Sequence, residues 1–239
     1  IYRKGAFDHF DTLFCVGPHH INEARKIEEY YQLKKKFLVE FGYSKIDILI
    51  GDFKNFQKKK NDKINFLIAP TWGDNSIINN GKVIEVMDHI KLLGHNMVLR
   101  PHPITVRESS DILNKIILRY KNYSNFIYQP STDNNKTLFN ADVLVSDWSG
   151  VAFEFAYALK KPVIFVDTDR KIKNVDYDKI GIESFEYYAR ESVGEFFNAN
   201  KTYTLQNINT VNDDDASKSV FSLGKSGKVA CEYILKLMK

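Results

Sequence analysis

Val143-Leu144-Val145-Ser146-Asp147-Trp148-Ser149-Gly150-Val151-Ala152-Phe153-Glu154-Phe155-Ala156 is the stretch on which the fold turns. A short apolar run enters a turn of small residues. A helical pattern leaves the turn and ends before Lys161-Pro162. The reading is a strand that feeds a helix, and the helix start leaves backbone N–H groups and a positive dipole end above the strand. Ser149 and Gly150 let an anion approach that backbone closely, and Glu154 follows on the first turns, within reach of a hydroxylated group. An α/β protein holds a nucleotide diphosphate in this way. Taken alone, the turn reads equally well as an ordinary βα turn capped by a serine.

A second stretch points the same way. Asn96-Met97-Val98-Leu99 reads as a short buried strand, and it ends in Arg100-Pro101-His102-Pro103. In an open parallel sheet, ligands bind beyond the carboxyl ends of the strands. Arg100 and His102 are therefore expected in the crevice that holds the Ser149 turn. Arg100 offers a planar fork for phosphate, and His102 a hydrogen bond or a proton near neutral pH. The two prolines are expected to fix the backbone around His102 and to stop a helix from forming at once.

Around these two stretches the chain alternates strands and helices. Thr12–Val16 reads as a strand and Ile21–Leu38 as a helix closed by Gly42-Tyr43, with Ile46–Ile50 leading out. Residues 53–63 are rich in Lys and Asn without periodicity, which suggests a linker or loop. Strands are expected at Asn65–Ala69, to Arg100, at Phe126–Gln129, Val143–Ser146 and Val163–Val166. Helices are expected at Lys82–Leu93 closed by Gly94, Val106–Tyr120 and Asn134–Phe139, and a last one at Ser226–Met238 capped by Ser226. Asn212–Asp215 reads as an acidic loop. Short apolar strands between helices indicate a parallel sheet covered on both faces, an α/β Rossmann-like fold.

Composition narrows the class further. No apolar run approaches a membrane span, and no signal-peptide pattern opens the chain. A net charge of +4 without an interleaved aromatic and basic motif gives no reason to expect a nucleic-acid partner. Cys15 and Cys231 stand at opposite ends among apolar residues, as expected of two buried free thiols in a reducing, cytoplasmic setting.

Further candidates follow other strand ends. Thr71, Trp72 and Gly73 come after the first strand of the sheet, and Trp72 either stacks on a base or packs. Asp147 either caps its helix or orients His102 and the turn. Asp167, Asp169, Arg170 and Lys171 border the same crevice and read as a solvated rim rather than a metal site. His19-His20 lacks a spaced third ligand for zinc, so no metal is expected, and the pair is placed at an interdomain cleft. Ser149 as a covalent nucleophile is disfavoured, because the flanking residues do not spell Gly-x-Ser-x-Gly.

Ala69-Pro70-Thr71-Trp72, Arg100-Pro101-His102-Pro103 and Asp147-Trp148-Ser149-Gly150, followed by Phe153-Glu154-Phe155-Ala156, resemble the donor-site motifs of the CDP-glycerol glycerophosphotransferase family. Order and spacing agree over about residues 10 to 190. Two positions depart: Trp148 and Gly150 stand where the family pattern has Tyr and a second Ser, and the lost Ser removes one phosphate hydrogen bond.

The resemblance implies a bacterial transferase of cell-envelope polymers, teichoic acid or capsule polysaccharide, with a two-domain GT-B architecture. Residues 1–50 would then be the end of the acceptor domain and the crossover, 51–63 a linker, and 64–239 the donor-binding domain with a C-terminal helix. It implies a polyol-phosphate unit moving from a CDP-activated donor to a hydroxyl acceptor, a polyol phosphate or glycan, with CMP leaving. The activated donor is a substrate, and no cofactor is implied. His102 is the catalytic candidate. Thr71, Trp72, Arg100, Asp147, Trp148, Ser149 and Gly150 are the donor-binding candidates, with Glu154 on the ribose hydroxyls. The location implied is cytoplasmic or at the inner membrane face, compatible with peripheral association of the full-length protein. The family's Trp-His-Gly-Thr motif, whose His is taken as the base, does not occur in this sequence. The expectation is therefore a donor-binding fragment that binds a cytidine nucleotide without transferring. A GT-B nucleotide-sugar glycosyltransferase or UDP-sugar 2-epimerase-like enzyme, or a non-catalytic nucleotide-binding module, are the competing readings.

Overall fold

The computed structural model describes residues 2–58, 61–130, 135–170 and 172–238. The expected helix start at Asn134, the rim residue Lys171 and part of the expected linker, residues 59–60, lie outside the described residues. In chain order the elements begin with β1 (Thr12–Cys15), α1 (Pro18–Tyr30), β2 (Phe37–Glu40), α2 (Ser44–Lys54), β3 (Asn65–Ile68), α3 (Lys82–Leu92) and β4 (Asn96–Leu99). Next come α4 (Pro103–Glu108), α5 (Ser110–Tyr120), β5 (Phe126–Tyr128), α6 (Lys136–Asn140), β6 (Val143–Ser146), α7 (Val151–Leu159) and β7 (Val163–Phe165). The chain closes with α8 (Tyr177–Ile180), α9 (Phe185–Val193), β8 (Gly194–Phe196), α10 (Asp213–Ser219) and α11 (Ser226–Leu237).

Two compact units result, and their membership differs from a simple cut along the chain. The first comprises residues 1–54, 172–189 and 212–239, and the second 55–171 and 190–211. The expected donor domain of residues 64–239 therefore gives two of its segments, including the last helix, to the first unit. Residues 51–54, assigned to the linker, are the end of α2.

The second unit is a six-stranded sheet in the order β5-β4-β3-β6-β7-β8, with every pairing parallel. Counted from β3, this is the 3-2-1-4-5-6 order of the dinucleotide-binding fold. The central strands are apolar but for Asn65, Asn96 and Ser146 at their ends, and β6 is buried at all four residues, as a parallel strand covered on both faces must be. Phe66, Ile68, Met97, Leu99, Val143 and Val145 form one core with Val86, Met87 and Ile90 of α3 and with Leu113 and Ile116 of α5. Helix α7 is buried from Ala152 to Leu159; a helix apolar on every side but for Glu154 belongs inside.

The first unit contains a two-stranded parallel sheet, β1 with β2. The helix expected to run from Ile21 to Leu38 stops at Tyr30. Gln32 takes a left-handed φ of 55°, and the Glu28 carboxylate accepts from the Lys36 backbone N–H at 2.8 Å, which turns the chain into β2. The acidic stretch expected as a loop is instead the start of α10, where the Asn212 side chain accepts from Asp215 N at 2.7 Å, an N-cap. Ser226 does not cap α11. Asp47 of α2 does, accepting from Gly224 N at 2.6 Å and Ser226 N at 2.7 Å. Cys15 is buried as expected, whereas Cys231 is exposed on α11. Among the described residues no helix is long and apolar enough to cross a membrane.

Candidate functional site

All six strands of the second unit run the same way, so their carboxyl ends share one edge. The order places β3 and β6 side by side with β4 beyond β3 and β7 beyond β6. Consecutive connections diverge to opposite sides between β3 and β6, which makes their carboxyl ends the switch point where ligands bind in such sheets. Thr71 and Trp72 follow β3, Arg100 and His102 follow β4, and Asp147 to Gly150 follow β6. The strands carrying His102 and Ser149 are not neighbours as expected: β3 lies between them, and two strand spacings set their ends roughly 10 Å apart.

Asp147 ties this edge together. Its side chain is almost inaccessible. One carboxylate oxygen accepts from Thr71 N at 2.7 Å and the other from Ile77 N at 3.1 Å. Burial pushes its carboxyl above the ordinary carboxylate range, and those N–H donors act against the shift. The Ser146 hydroxyl donates to Ala69 O at 2.8 Å, so the ends of β3 and β6 are laced twice. Asp147 does not cap α7; its carboxylate takes a different structural role and fastens the loop after β3 to the turn after β6. Thr71 is buried and enters the site through its backbone.

His102 does not block a helix. It precedes one, with φ −62° and ψ 143°, and its Nδ1 accepts from Ile104 N at 3.1 Å. Pro103 occupies the first helical position, where its missing N–H costs nothing, so α4 starts at Pro103 rather than at Val106. Ser109, at φ −128°, separates α4 from α5 and divides the single helix expected over 106–120. An Nδ1 that accepts leaves the ring proton on Nε2, a donor for an anion. The Trp72 ring lies 6.1 Å from the His102 ring, centroid to centroid, tilted by 36°.

Two opposite charges lie deeper. Arg100 and Glu154 are each only 6 % exposed. Burial draws the guanidinium below its ordinary value, and the Glu154 carboxylate acts in the opposite direction. Glu154 is the acidic residue of an otherwise apolar buried helix, a placement that core packing alone disfavours. Ser149 is half-buried and Gly150 exposed. A Cβ built on Gly150 meets no atom within 4 Å, so the space above the start of α7 is open.

Trp148 is held from the segment after β7 and from α9. Its Nε1 donates to Thr168 O at 3.0 Å, and the Arg190 guanidinium lies 3.6 Å from its ring centre. Arg190 is buried and pairs with the exposed Asp167 at 3.3 Å. Sequence reasoning missed Arg190, since one arginine in a polar helix carries no local signal. Asp167 and Arg170 also serve through their carbonyls: Lys82 Nζ donates to Asp167 O at 2.6 Å and Asn75 Nδ2 to Arg170 O at 3.3 Å. These bonds join the loop after β3 and the start of α3 to the loop after β7, on either side of β6. In the first unit, His20 Nδ1 accepts from Val16 N at 3.3 Å and His19 stacks on Phe185 at 3.9 Å.

Residues 6–217 match the sequence profile of the CDP-Glycerol:Poly(glycerophosphate) glycerophosphotransferase family. The chain belongs to that family. Among curated proteins of similar sequence, the teichoic acid poly(glycerol phosphate) polymerase of Bacillus spizizenii is 27 % identical over 172 residues, covering 66 % of this chain and 40 % of the relative. The minor teichoic acid biosynthesis protein GgaB of Bacillus subtilis is 27 % identical over 176 residues, covering 59 % and 18 %. The chain thus spans less than half the length of these two relatives.

Two solved structures share the fold. A variant of the wall teichoic acid polymerase TagF superposes with a TM-score of 0.54 at 18 % identity, over 96 % of this chain and 60 % of that one. The UDP-GlcNAc 2-epimerase of Methanocaldococcus jannaschii, solved with UDP-GlcNAc and UDP, gives 0.60 at 16 % identity, over 95 % and 61 %. The α/β fold with a parallel sheet expected from the sequence is therefore present, and it is shared with GT-B-like neighbours.

Proposed function

We propose that this protein binds a CDP-activated polyol, CDP-glycerol or a close analogue, and serves the transfer of its polyol-phosphate unit to a hydroxyl acceptor in the synthesis of a teichoic-acid-like or capsule polymer. Family membership supports the reaction class. The observation that carries the site is the junction at the β3/β6 switch point, where Asp147 holds the Thr71 loop against the open start of α7.

In this reading the diphosphate lies over the Ser149–Gly150 turn. It meets the Ser149 hydroxyl, the first N–H groups of α7 and the positive end of the helix. His102 donates from Nε2 to a phosphate oxygen from the β4 side. Arg100 supplies positive potential from below, which Glu154 partly balances, and the Glu154 carboxylate takes the ribose diol. The acceptor oxygen forms a bond to the β-phosphorus as the bond from that phosphorus to the CMP oxygen breaks. CMP carries away the electron pair, and the acceptor proton passes to a base. Catalysis then rests on positioning and on neutralising charge at the transferring phosphoryl group. The reading places the protein in the cytoplasm or at the inner face of the membrane, where such donors and acceptors meet.

Thermal-shift measurements with CDP-glycerol, CDP-ribitol, CDP, CMP and UDP-sugars test the donor. Stabilisation by the cytidine compounds, lost in an Arg100→Ala/Ser149→Ala double variant, is the expected result. Stabilisation by UDP-sugars alone would move the protein to the epimerase or glycosyltransferase class, and silence toward every nucleotide would remove the donor site. The chain lacks the family's Trp-His-Gly-Thr motif. Labelled CDP-glycerol is therefore expected to give no polymer with this chain, and robust transfer would refute that assignment of the base.

A further inference from the structure

We infer that Arg190 is a positioning residue for the donor turn, acting through Trp148; this rests on the donor reading above. The guanidinium lies 3.6 Å from the centre of the Trp148 ring, 4.9 Å from that of Phe196 and 5.9 Å from that of Phe165. It is 3 % exposed, and its partner Asp167 is mostly in solvent. An obligate cation among three aromatic rings is an expensive way to fill space, because apolar side chains of similar volume often serve stability as well or better. What a planar guanidinium adds is a flat, oriented stack on an indole, which lysine does not reproduce.

The stacked indole is fixed in two directions. Arg190 covers a face, and the edge is tied through Nε1 to Thr168 O. Trp148 lies between Asp147 and Ser149 in the chain. The turn is thus held on one side by the Asp147 carboxylate and at its centre by the Arg190 stack, and its open part is left to Ser149 and Gly150. Removing the stack leaves Asp147 bound to Thr71 and Ile77 and the indole held by its edge alone. The peptide that presents the Ser149 hydroxyl and the first N–H groups then loses its fixed direction. Arg190 touches no donor atom in this account. The indole it clamps stands where the family pattern has Tyr.

A double-mutant cycle on CDP affinity tests the coupling, read by calorimetry on the chain with Arg190→Met, Trp148→Leu and both. Each single substitution is expected to weaken CDP about tenfold. The double variant is expected to be no weaker than Trp148→Leu alone, since coupled residues are non-additive. Multiplied losses, or an unchanged affinity in Arg190→Met, would overturn the assignment. Arg190→Lys keeps the charge without the planar stack and is expected to behave like Arg190→Met; full rescue by Lys would also overturn it. A second readout is independent of the donor. In a Trp72→Phe background Trp148 is the remaining tryptophan, and its acrylamide quenching should at least double in Arg190→Met and in Arg190→Lys. Should the parent chain bind no CDP, the donor reading falls, and the clamp is judged by quenching alone, with unchanged quenching counting against it.

Discussion

The turn from β1 into α1 and the turn from β6 into α7 share a plan: a parallel strand ends in small residues and a helix begins. At the first, the protein fills the space itself. A Cβ on Gly17 would lie 1.9 Å from the carbonyl oxygen of Ser219, Phe221 N donates to Val16 O at 2.8 Å, and the His20 ring caps Val16 N. At the second, nothing lies within 4 Å of a Cβ on Gly150, while the residues around it are tied down by Asp147 and Trp148. A strand, a small-residue turn and a helix therefore do not make a site. Open space above a turn held rigid from behind is what separates the two.

The largest expected effect comes from untying the second turn. Asp147→Ala leaves the N–H groups of Thr71 and Ile77 without their acceptor. Each orphaned buried donor costs about 1–3 kcal/mol, so the variant should lose about 2–6 kcal/mol in urea denaturation. A loss below about 1 kcal/mol would mean that the two loops hold without the carboxylate and that the turn is not rigid from behind.

The next substitution addresses the comparison directly. Gly17 has φ −159°, a conformation any residue adopts, so Gly17→Ala is penalised by contact, with the Ser219 carbonyl at 1.9 Å and the His19 ring at 2.9 Å. Backbone has to move, and overpacking of this kind costs about 1–3 kcal/mol. Gly150→Ala meets empty space at φ −59° and should be neutral or stabilising by about 0.4–1 kcal/mol. Equal costs at the two positions would break the contrast between a filled turn and an open one.

The sequence made the second turn far more legible than the first. Phe66–Ile68 and Val143–Val145 are apolar runs that can only be buried strands, and they place Asp147 and the residues after it at a strand end. Phe37–Glu40 follows a lysine run and becomes a strand through pairing with β1. Gly194–Phe196 has no apolar run at all; Gly194 fits because a Cβ there would lie 2.1 Å from Val163 O. Both are tertiary effects with no local signature. Arg190 was hidden for the same reason, since its meaning comes from Trp148, far away in the chain. Pro103 was legible but misjudged, because a proline that ends one element also suits the first position of the next.

A pH series separates the units further. Burial holds His20 below its ordinary value and lowers His19 from 6.5 to about 3. Folded-state values below those of the unfolded chain mean that the unfolded chain protonates first. The contribution of these rings to stability is therefore present above about pH 6.5 and is lost as pH falls from there toward about 3. Urea midpoints should decline over that window, and His19→Gln should flatten the decline. Identical slopes for the two proteins would show that the first turn is not closed around a neutral ring.

The smallest effect is also the most specific to the open turn. Gly150→Ser restores the second hydroxyl of the family pattern at a position with room for it. The side chain enters at φ −59° without strain, at the start of α7. Bonded to a donor phosphate, the new hydroxyl should contribute about 1 kcal/mol, the usual net value of one hydrogen bond, or roughly a fivefold gain in CDP affinity by calorimetry. Stability should change little, because serine in place of glycine at a helix N-cap is worth only about a few tenths of a kcal/mol. The two readouts divide the possibilities. Tighter CDP binding without a matching rise in the urea midpoint places the phosphate at Gly150. A higher midpoint with CDP affinity unchanged makes the hydroxyl a cap alone, and the phosphate would then have to lie nearer His102 than the start of α7.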